Sequence, residues 1–304
     1  MSLISSKAGS QPGGRPPAAV ELSPQGVLAG SLAAAGQQPV YAFQPLQAGA
    51  LVPSITEANL HAPEAVATAI RTALGQVSPR TKAVTLLLPD SVVRVFVLDF
   101  DALPSKAVEA YSMLRFRLRK MIPFDVEHAG LSYQILTETK TECKVLAAVI
   151  PGPVLAEYEA VVRAAGYEPG AVLPSSLAAL EVVDSMEAIL AATLNGMALT
   201  TSITNGRDLL LYRTLDLPED AERRIAEVQR DIAVAAAYFE DKLQARPSRV
   251  HYAGNLETRE FASWIDDAEL TVLDLAPKPS TGATTALGNM SFAGINGALA
   301  GANS

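Results

Sequence analysis

The stretch Glu187–Leu215, EAILAATLNGMALTTSITNGRDLLLYRTL, carries the pattern that decides the fold. Apolar and small residues form three short runs in it, and the pairs Asn195-Gly196 and Asn205-Gly206 separate these runs. Asn-Gly is a strong hairpin signal, because both residues accept the positive φ angles of a tight turn. The stretch therefore predicts three consecutive strands joined by two turns.

A long amphipathic helix is predicted directly after these strands, from about Pro218 to Gln244. Its apolar residues recur at helical spacing and so lie on one face: Ile225, Val228, Ile232, Ala235, Phe239 and Leu243. An apolar strand, Arg249–Tyr252, follows and ends at the turn Ala253-Gly254-Asn255.

The first part of the chain repeats this order of elements. Ala18–Leu32 alternates apolar and small residues around the turn Pro24-Gln25-Gly26, and Pro39–Phe43 reads as a third strand. A helix begins at Pro63, and the apolar run Ala83–Leu88 follows it. Because both halves have the same order, we predict an α/β protein built from two related subdomains that face each other.

The middle of the chain has a different pattern and predicts an inserted small α+β subdomain with its own sheet. Its elements are a helix at Ser105–Met121, strands at His128–Leu136 and Glu142–Ile150, a helix at Val154–Ala165 and a strand at Ala171–Leu173. The predicted division is a flexible arm at 1–17, a first subdomain at 18–100, the insert at 101–175, a second subdomain at 176–277, and a C-terminal segment at 278–304, rich in small residues, that returns to the first subdomain.

Composition excludes several functions. The formal net charge is −8 and the 24 basic residues are spread along the chain, whereas nucleic-acid binding needs a basic stripe. The single cysteine, Cys143, leaves no internal disulfide or cysteine metal cluster, and we expect it to be buried in a reducing compartment. Residues 1–17 lack the apolar run of a secretory signal, so we expect a cytoplasmic protein.

Several segments, in this order and spacing, resemble the PilM family of type IV pilus assembly proteins, which are relatives of the cell-division protein FtsA. They are Leu86–Asp90 (LLLPD), Ile122–Asp125 (IPFD), Lys144–Ile150 (KVLAAVI) and Ala164–Glu181 (AAGYEPGAVLPSSLAALE). The cytoplasmic domains of type II secretion platform proteins, of the GspL kind, look similar. The resemblance implies an actin-like fold, a duplicated ribonuclease H-like unit with an insert. It also implies a protein peripheral to the inner membrane that binds the short cytoplasmic tail of a PilN-like partner; the oligomeric state stays open.

The resemblance also implies a nucleotide cleft, but its turns depart from the family pattern. Glu21 and Pro24 stand where a D-x-G-S/T turn is expected, and Asn195 stands where the second hairpin carries an aspartate. Proline removes a backbone donor, and the missing carboxylate removes a ligand for Mg²⁺. We predict no detectable ATP hydrolysis, whereas binding of ATP and magnesium is left open. The residues of a residual site would be Ser23, Gly26, Asn195, Gly196 and Gly254; alternatively, these are ordinary turn residues.

Two other groups of residues are candidates for function. The predicted lining of a groove for the partner's tail is Val93, Phe96, Arg115 and Arg119. The helix that carries Arg115, Arg117, Arg119 and Lys120 faces acidic lipid headgroups or an acidic tail, or else is a solvated helix face.

Two alternative functions stay open, an active ATPase of the same assembly and a relative of small-molecule kinases. Asp90 is the candidate catalytic base for a kinase. Ser175-Ser176 after Pro174 is interpreted as a helix N-cap.

Overall fold

The computed structural model describes residues 15–32, 38–183, 186–206, 208–265, 267–276 and 291–302. Most of the predicted arm at 1–17, and residues 278–290 and 303–304 of the predicted C-terminal segment, lie outside these ranges. Arg15 is buried, and its guanidinium forms an ion pair with the Glu181 carboxylate at 3.0 Å. The boundary of the arm at residue 17 is therefore wrong, because the chain is packed from Arg15 onward.

The first five-stranded sheet has the strand order β3-β2-β1-β4-β8. Its strands are β1 Ala18–Ser23, β2 Gly26–Ser31, β3 Val40–Pro45, β4 Ala83–Leu88 and β8 Glu168–Pro174. The pairs among β1, β2 and β3 are antiparallel, whereas β4 is parallel to both β1 and β8. Helix α1, Pro63–Val77, connects β3 to β4 and packs on β2 and β3 through buried Val66, Ile70 and Leu74.

The second five-stranded sheet repeats this arrangement, with the order β11-β10-β9-β12-β13. Its strands are β9 Ala188–Asn195, β10 Ala198–Asn205, β11 Asp208–Asp216, β12 Arg249–Gly254 and β13 Thr271–Asp274. Again the first three are antiparallel and the last two parallel, with helix α5, Ala221–Leu243, as the crossover. The predicted duplicated ribonuclease H-like unit is therefore confirmed.

A third sheet of three strands has the order β5-β7-β6 and packs against helix α2, Ala107–Leu118. Its strands are β5 Arg94–Phe100, β6 Ala129–Glu138 and β7 Cys143–Pro151. The sequence assigned β5 to the first subdomain, but its residues pair antiparallel with β7, from Arg94–Val149 to Phe100–Cys143. The end of the predicted insert is also wrong. Strand β8 pairs with β4, and helix α3, Gly152–Ala164, packs on α1.

Three shorter helices complete the described fold: α4 Ser175–Ala179, α6 Thr258–Trp264 and α7 Ala293–Ala300. Helix α7 packs on α4, β1 and β2. Cys143 is buried in the core under the third sheet, as expected. None of the helices in the described ranges combines the length and apolar character that a membrane-crossing segment requires.

Candidate functional site in the cleft between the two sheets

A buried polar cluster lies where the two five-stranded sheets meet. Glu21 is on β1, Asp90 follows β4, and Ser175 and Ser176 begin α4 after β8. Since β1, β4 and β8 are parallel, the chain leaves Asp90 and the two serines at the same edge of the first sheet. This is the edge at which open α/β sheets bind ligands. The second sheet contributes Asn195, at the end of β9, and Tyr212 on β11.

Asp90 is the centre of this cluster and is only 1% exposed. Its carboxylate accepts hydrogen bonds from the backbone N–H of Ser176 at 3.0 Å and from the Ser176 hydroxyl at 2.6 Å. Its Oδ2 has no hydrogen-bond partner among the described residues, although the Asn195 side chain lies near the carboxylate. The Ser176 hydroxyl also contacts the hydroxyl of Tyr212. Burial raises the pKa of Asp90 to about 6, although the hydrogen bonds from Ser176 oppose this shift. Asp90 is thus connected to the second half of the molecule through Ser176 and Tyr212.

Glu21 is a second buried carboxyl group in the cluster. Its Oε1 accepts a hydrogen bond from the Ser175 hydroxyl, while Oε2 has no hydrogen-bond partner among the described residues. Burial is the main cause that raises the pKa of Glu21 to about 7, and the nearby charge of Asp90 adds to it. Helix α7 covers this group closely, because a Cβ on Gly294 would lie 2.5 Å from the Ser175 hydroxyl and 3.1 Å from Oε2.

In the first turn of the predicted nucleotide site, Ser23 and Gly26 have structural roles. The Ser23 hydroxyl accepts from the N–H of Gly26 at 3.3 Å and donates to its carbonyl at 3.0 Å. A Cβ on Gly26 would lie 2.4 Å from the carbonyl oxygen of Gln44, so the glycine serves the pairing of β2 with β3. Pro24 has no N–H, so one backbone donor, that of Gln25, remains between Ser23 and Gly26.

In the second turn, Gly196 adopts φ = 63° in the two-residue connection between β9 and β10. Asn195 lies at the end of β9, and its side chain is near the carboxylate of Asp90. Gly254 ends β12, where a Cβ would lie 2.7 Å from the carbonyl oxygen of Leu194 and 2.3 Å from the Tyr252 hydroxyl. Gly254 therefore permits the close pairing of β12 with β9.

The residues predicted to line a partner groove do not form one surface. The side chain of Val93 is 1% exposed and packs in the main core, so it does not line a groove. Phe96 packs instead on the core under the third sheet. The Arg115 guanidinium donates to the backbone carbonyls of Val126 and Ala129, whereas Arg119 is exposed and paired with Glu127. The alternation of side chains explains part of this result. Residues 93 and 96 are three positions apart in extended chain, so their side chains point to opposite faces.

A concave apolar surface lies instead between α1 and α3, and we call it the α1–α3 groove. Its volume is about 490 Å³. Small and apolar residues form most of its lining, with charged residues among them: Leu60, Pro63, Glu64, Ala67, Thr68, Arg71, Glu157, Ala160, Val161 and Ala164. Helix α3 also contacts β6 and β7, so the groove is beside the third sheet.

Sequence reasoning missed the roles of Ser175, Ser176 and Tyr212. The interpretation of the two serines as an N-cap is wrong, because Pro174 is the N-cap residue of α4 and neither serine caps the helix through its side chain. Their hydroxyls contact Glu21 and Asp90, residues 154 and 86 positions away. The available signal was Asp90 itself, a carboxylate directly after a buried strand.

The fold and the cleft define a protein of the actin-like ATPase fold, with two ribonuclease H-like halves and an extra three-stranded sheet. No family model matches the chain, and no curated protein matches it.

Solved structures do match. The chain is similar to the PilM-PilN type IV pilus biogenesis complex, with 17% identity, a TM-score of 0.72 and coverage of 94% of this chain and 98% of that chain. It is also similar to the cytoplasmic domain of EpsL, an inner-membrane component of the type II secretion system of Vibrio cholerae. There the identity is 16%, the TM-score 0.50 and the coverage 87% of this chain and 89% of that chain. At these identities the likeness establishes the fold.

Proposed function

We propose that this protein is a cytoplasmic adaptor of a type IV pilus or related secretion platform, peripheral to the inner membrane. Its task is to bind the short cytoplasmic tail of a PilN-like partner. The observation that carries the proposal is the match to the PilM-PilN complex over nearly the full length of both chains, which spans the third sheet as well as the two halves. The similarity to the cytoplasmic domain of EpsL supports the same kind of platform.

The composition of the cleft supports an adaptor with a degenerate nucleotide site. A magnesium–nucleotide complex needs free backbone donors for phosphate and a carboxylate for the metal. The N–H of Gly26 already donates to Ser23, and Oδ1 of Asp90 already accepts two bonds from Ser176, while its Oδ2 has no partner among the described residues. The shortage of free backbone donors in the first turn therefore supports a degenerate site. Asp90 is also a poor catalytic base for a kinase, because its carboxylate is 1% exposed and so is not within reach of a substrate hydroxyl.

The α1–α3 groove is the site that we propose for the tail. A bound peptide needs an apolar floor with a few polar anchors, and this groove combines alanines with Glu64, Arg71 and Glu157. The carboxylate of Glu157 accepts the backbone N–H groups of Asn59 and Leu60, which fixes one wall. Ala160 and Ala164 are exposed, so side chains of a tail would contact them without rearrangement of the core.

Calorimetry with the cytoplasmic tail of a PilN-like protein from the same organism tests this proposal. We expect modest, micromolar binding, because a flexible tail loses conformational entropy when it docks. Ala160→Trp should fill the groove and reduce affinity by about tenfold or more. Ala237→Trp on α5 is the matched control, since it also replaces an exposed helical alanine. Absence of heat from the folded wild-type protein at high peptide concentration would remove the central support of the adaptor.

A further inference from the structure

Helix α2 exposes apolar side chains on the face that points away from the third sheet. Its inner face buries Ala110, Leu114 and Leu118. On the outer face Val108 is 79% exposed and Phe116 is 70% exposed. Val108, Ser112 and Phe116 are spaced by four residues and therefore form one line along the helix. Met113 and Met121, also exposed, extend the apolar surface beside this line and beyond the end of the helix.

Basic residues surround this apolar line. Five of the residues from 106 to 121 are basic and one is acidic, although the whole chain has a net charge of −8. Arg117 and Lys120 have no ion-pair partner within the ranges that the structure describes, whereas Lys106 pairs with Glu109 and Arg119 with Glu127. The outer face of α2 is thus a local positive surface on an acidic protein. We call the line and its basic neighbours the α2 face.

The shape and chemistry of the α2 face indicate its ligand. Side chains as exposed as Val108 and Phe116 protrude from the surface, whereas peptide recognition relies on concave grooves. Protruding aromatic and aliphatic groups next to arginine and lysine are the pattern of helices that lie in the interface of anionic bilayers. Each basic residue near such a surface contributes about 1 kcal/mol of attraction.

We propose that the α2 face binds the surface of an anionic lipid bilayer directly. Phe116 and Val108 enter the boundary between headgroups and acyl chains, while Arg117 and Lys120 contact lipid phosphates. This contact is separate from the α1–α3 groove, so the protein would reach the membrane by its own surface in addition to its partner's tail. Loss of lipid binding by the α2 face should therefore leave binding of the tail by the α1–α3 groove unchanged, and the reverse should also hold.

Vesicle co-sedimentation of the full chain tests this inference. The probes are vesicles with about 30 mol% phosphatidylglycerol in phosphatidylcholine, and vesicles of phosphatidylcholine alone. We expect binding to the anionic vesicles only, and weaker binding as salt is added. The pair Val108→Ser and Phe116→Ser should weaken binding by about tenfold, because it removes two buried apolar groups from the bilayer. Arg117→Glu with Lys120→Glu should abolish binding.

The control variant combines Val234→Ser and Arg259→Glu, an exposed valine on α5 and an exposed arginine on α6. It should bind vesicles like the wild-type protein. All of the changed positions are exposed, and circular dichroism checks that each variant is folded. The proposal is wrong if folded wild-type protein binds neither kind of vesicle, or if the α2-face variants bind anionic vesicles as well as the wild type. Capture of a platform protein that depends on Phe116, without any binding to vesicles, would assign the face to a protein partner instead.

Discussion

The cleft and the α2 face each reverse the usual distribution of side chains. The cleft buries carboxyl groups, whereas the α2 face exposes apolar groups. In the cleft, Glu21 and Asp90 are carboxyl groups in the core, bonded to serine hydroxyls, and α7 covers Glu21. On the α2 face, Val108 and Phe116 are apolar groups in solvent. Buried polar groups that are bonded to one another stabilise a particular packing, whereas exposed apolar groups indicate a binding surface. From this contrast we propose that the cleft serves as part of the core and that binding occurs on the outer surfaces.

The largest effect should come from Gly297→Ala, which tests whether α7 closes the cleft as a structural element. A Cβ at this position would lie 1.8 Å from the carbonyl oxygen of Ala178 on α4, so α7 would have to move. We expect the free energy of unfolding to fall by about 3 kcal/mol in urea denaturation. Gly75→Ala on α1 is the matched control, because it meets open space there and should stabilise by about 0.5 kcal/mol. Equal stability of the two variants would contradict the tight packing of α7.

The pH dependence of stability tests whether Glu21 is buried as described. Its folded-state pKa of about 7 is above its ordinary value of 4.5, so the folded protein holds the proton more tightly than the unfolded chain. The contribution of Glu21 to stability should therefore be fully present below about pH 4.5 and be lost as the pH rises to about 7. Asp90, with a pKa raised to about 6, changes in the same direction.

Glu21→Gln isolates the contribution of Glu21, because glutamine keeps an acceptor for Ser175 and does not titrate. Relative to this variant, the wild-type protein should lose about 2 to 3 kcal/mol of stability between about pH 5 and pH 8. Urea denaturation at both pH values measures the difference. Glu57→Gln, at an exposed position, serves as the control. A difference between wild type and Glu21→Gln that stays constant with pH would mean that Glu21 is solvated.

Asp90→Ala tests the role of the buried aspartate in the cleft. The change leaves the backbone N–H of Ser176 without its acceptor in a buried site. We expect a loss of about 2 kcal/mol in the free energy of unfolding, since removal of the buried charge offsets part of the lost hydrogen bonds. Asp216→Ala removes a more exposed carboxylate that pairs with Arg94 at 2.7 Å, and should cost less than about 1 kcal/mol. If both variants cost the same, Asp90 is not a structural centre.

The smallest effect is expected in an ATPase assay, where the purified protein should give no turnover above background with magnesium. The first turn lacks free donors at Pro24 and Gly26, and the second has Asn195 in place of a carboxylate. Asn195→Ala should leave this baseline unchanged. Metal-dependent turnover that disappears in Asn195→Ala would overturn the assignment of the cleft and support the active ATPase.

Local patterns predicted most of the fold, since turns and helix faces are encoded by neighbouring residues. The Asn-Gly pairs correctly predicted the hairpins of the second sheet. Apolar residues at helical spacing correctly predicted α1 and α5. The partners of the strands were harder to predict. Strand β5 is apolar on both faces, because Val95 and Leu98 pack in different cores, so its pattern did not distinguish the first sheet from the third.

The candidate site was the least predictable part, because it is made of contacts between distant residues. Asp90 was recognised as unusual from its place after a strand. Its bond to Ser176 depends on the pairing of β4 with β8, and the contact of Ser176 with Tyr212 depends on how the halves meet. Val93 was misplaced for a related reason, since an apolar residue at the start of a strand does not reveal which face is covered. Sequence spacing contains no information of that kind.

Hydrogen–deuterium exchange with the PilN-like tail tests the central claim, that binding occurs on the outer surface and not in the cleft. We expect slower exchange in α1 and α3 when the tail is present, because these helices form the proposed groove. We expect no change in the turns Ser23–Gly26 and Asn195–Ala198, whether or not ATP and magnesium are added. Protection of those two turns, with α1 and α3 unaffected, would contradict the account and return the binding function to the cleft.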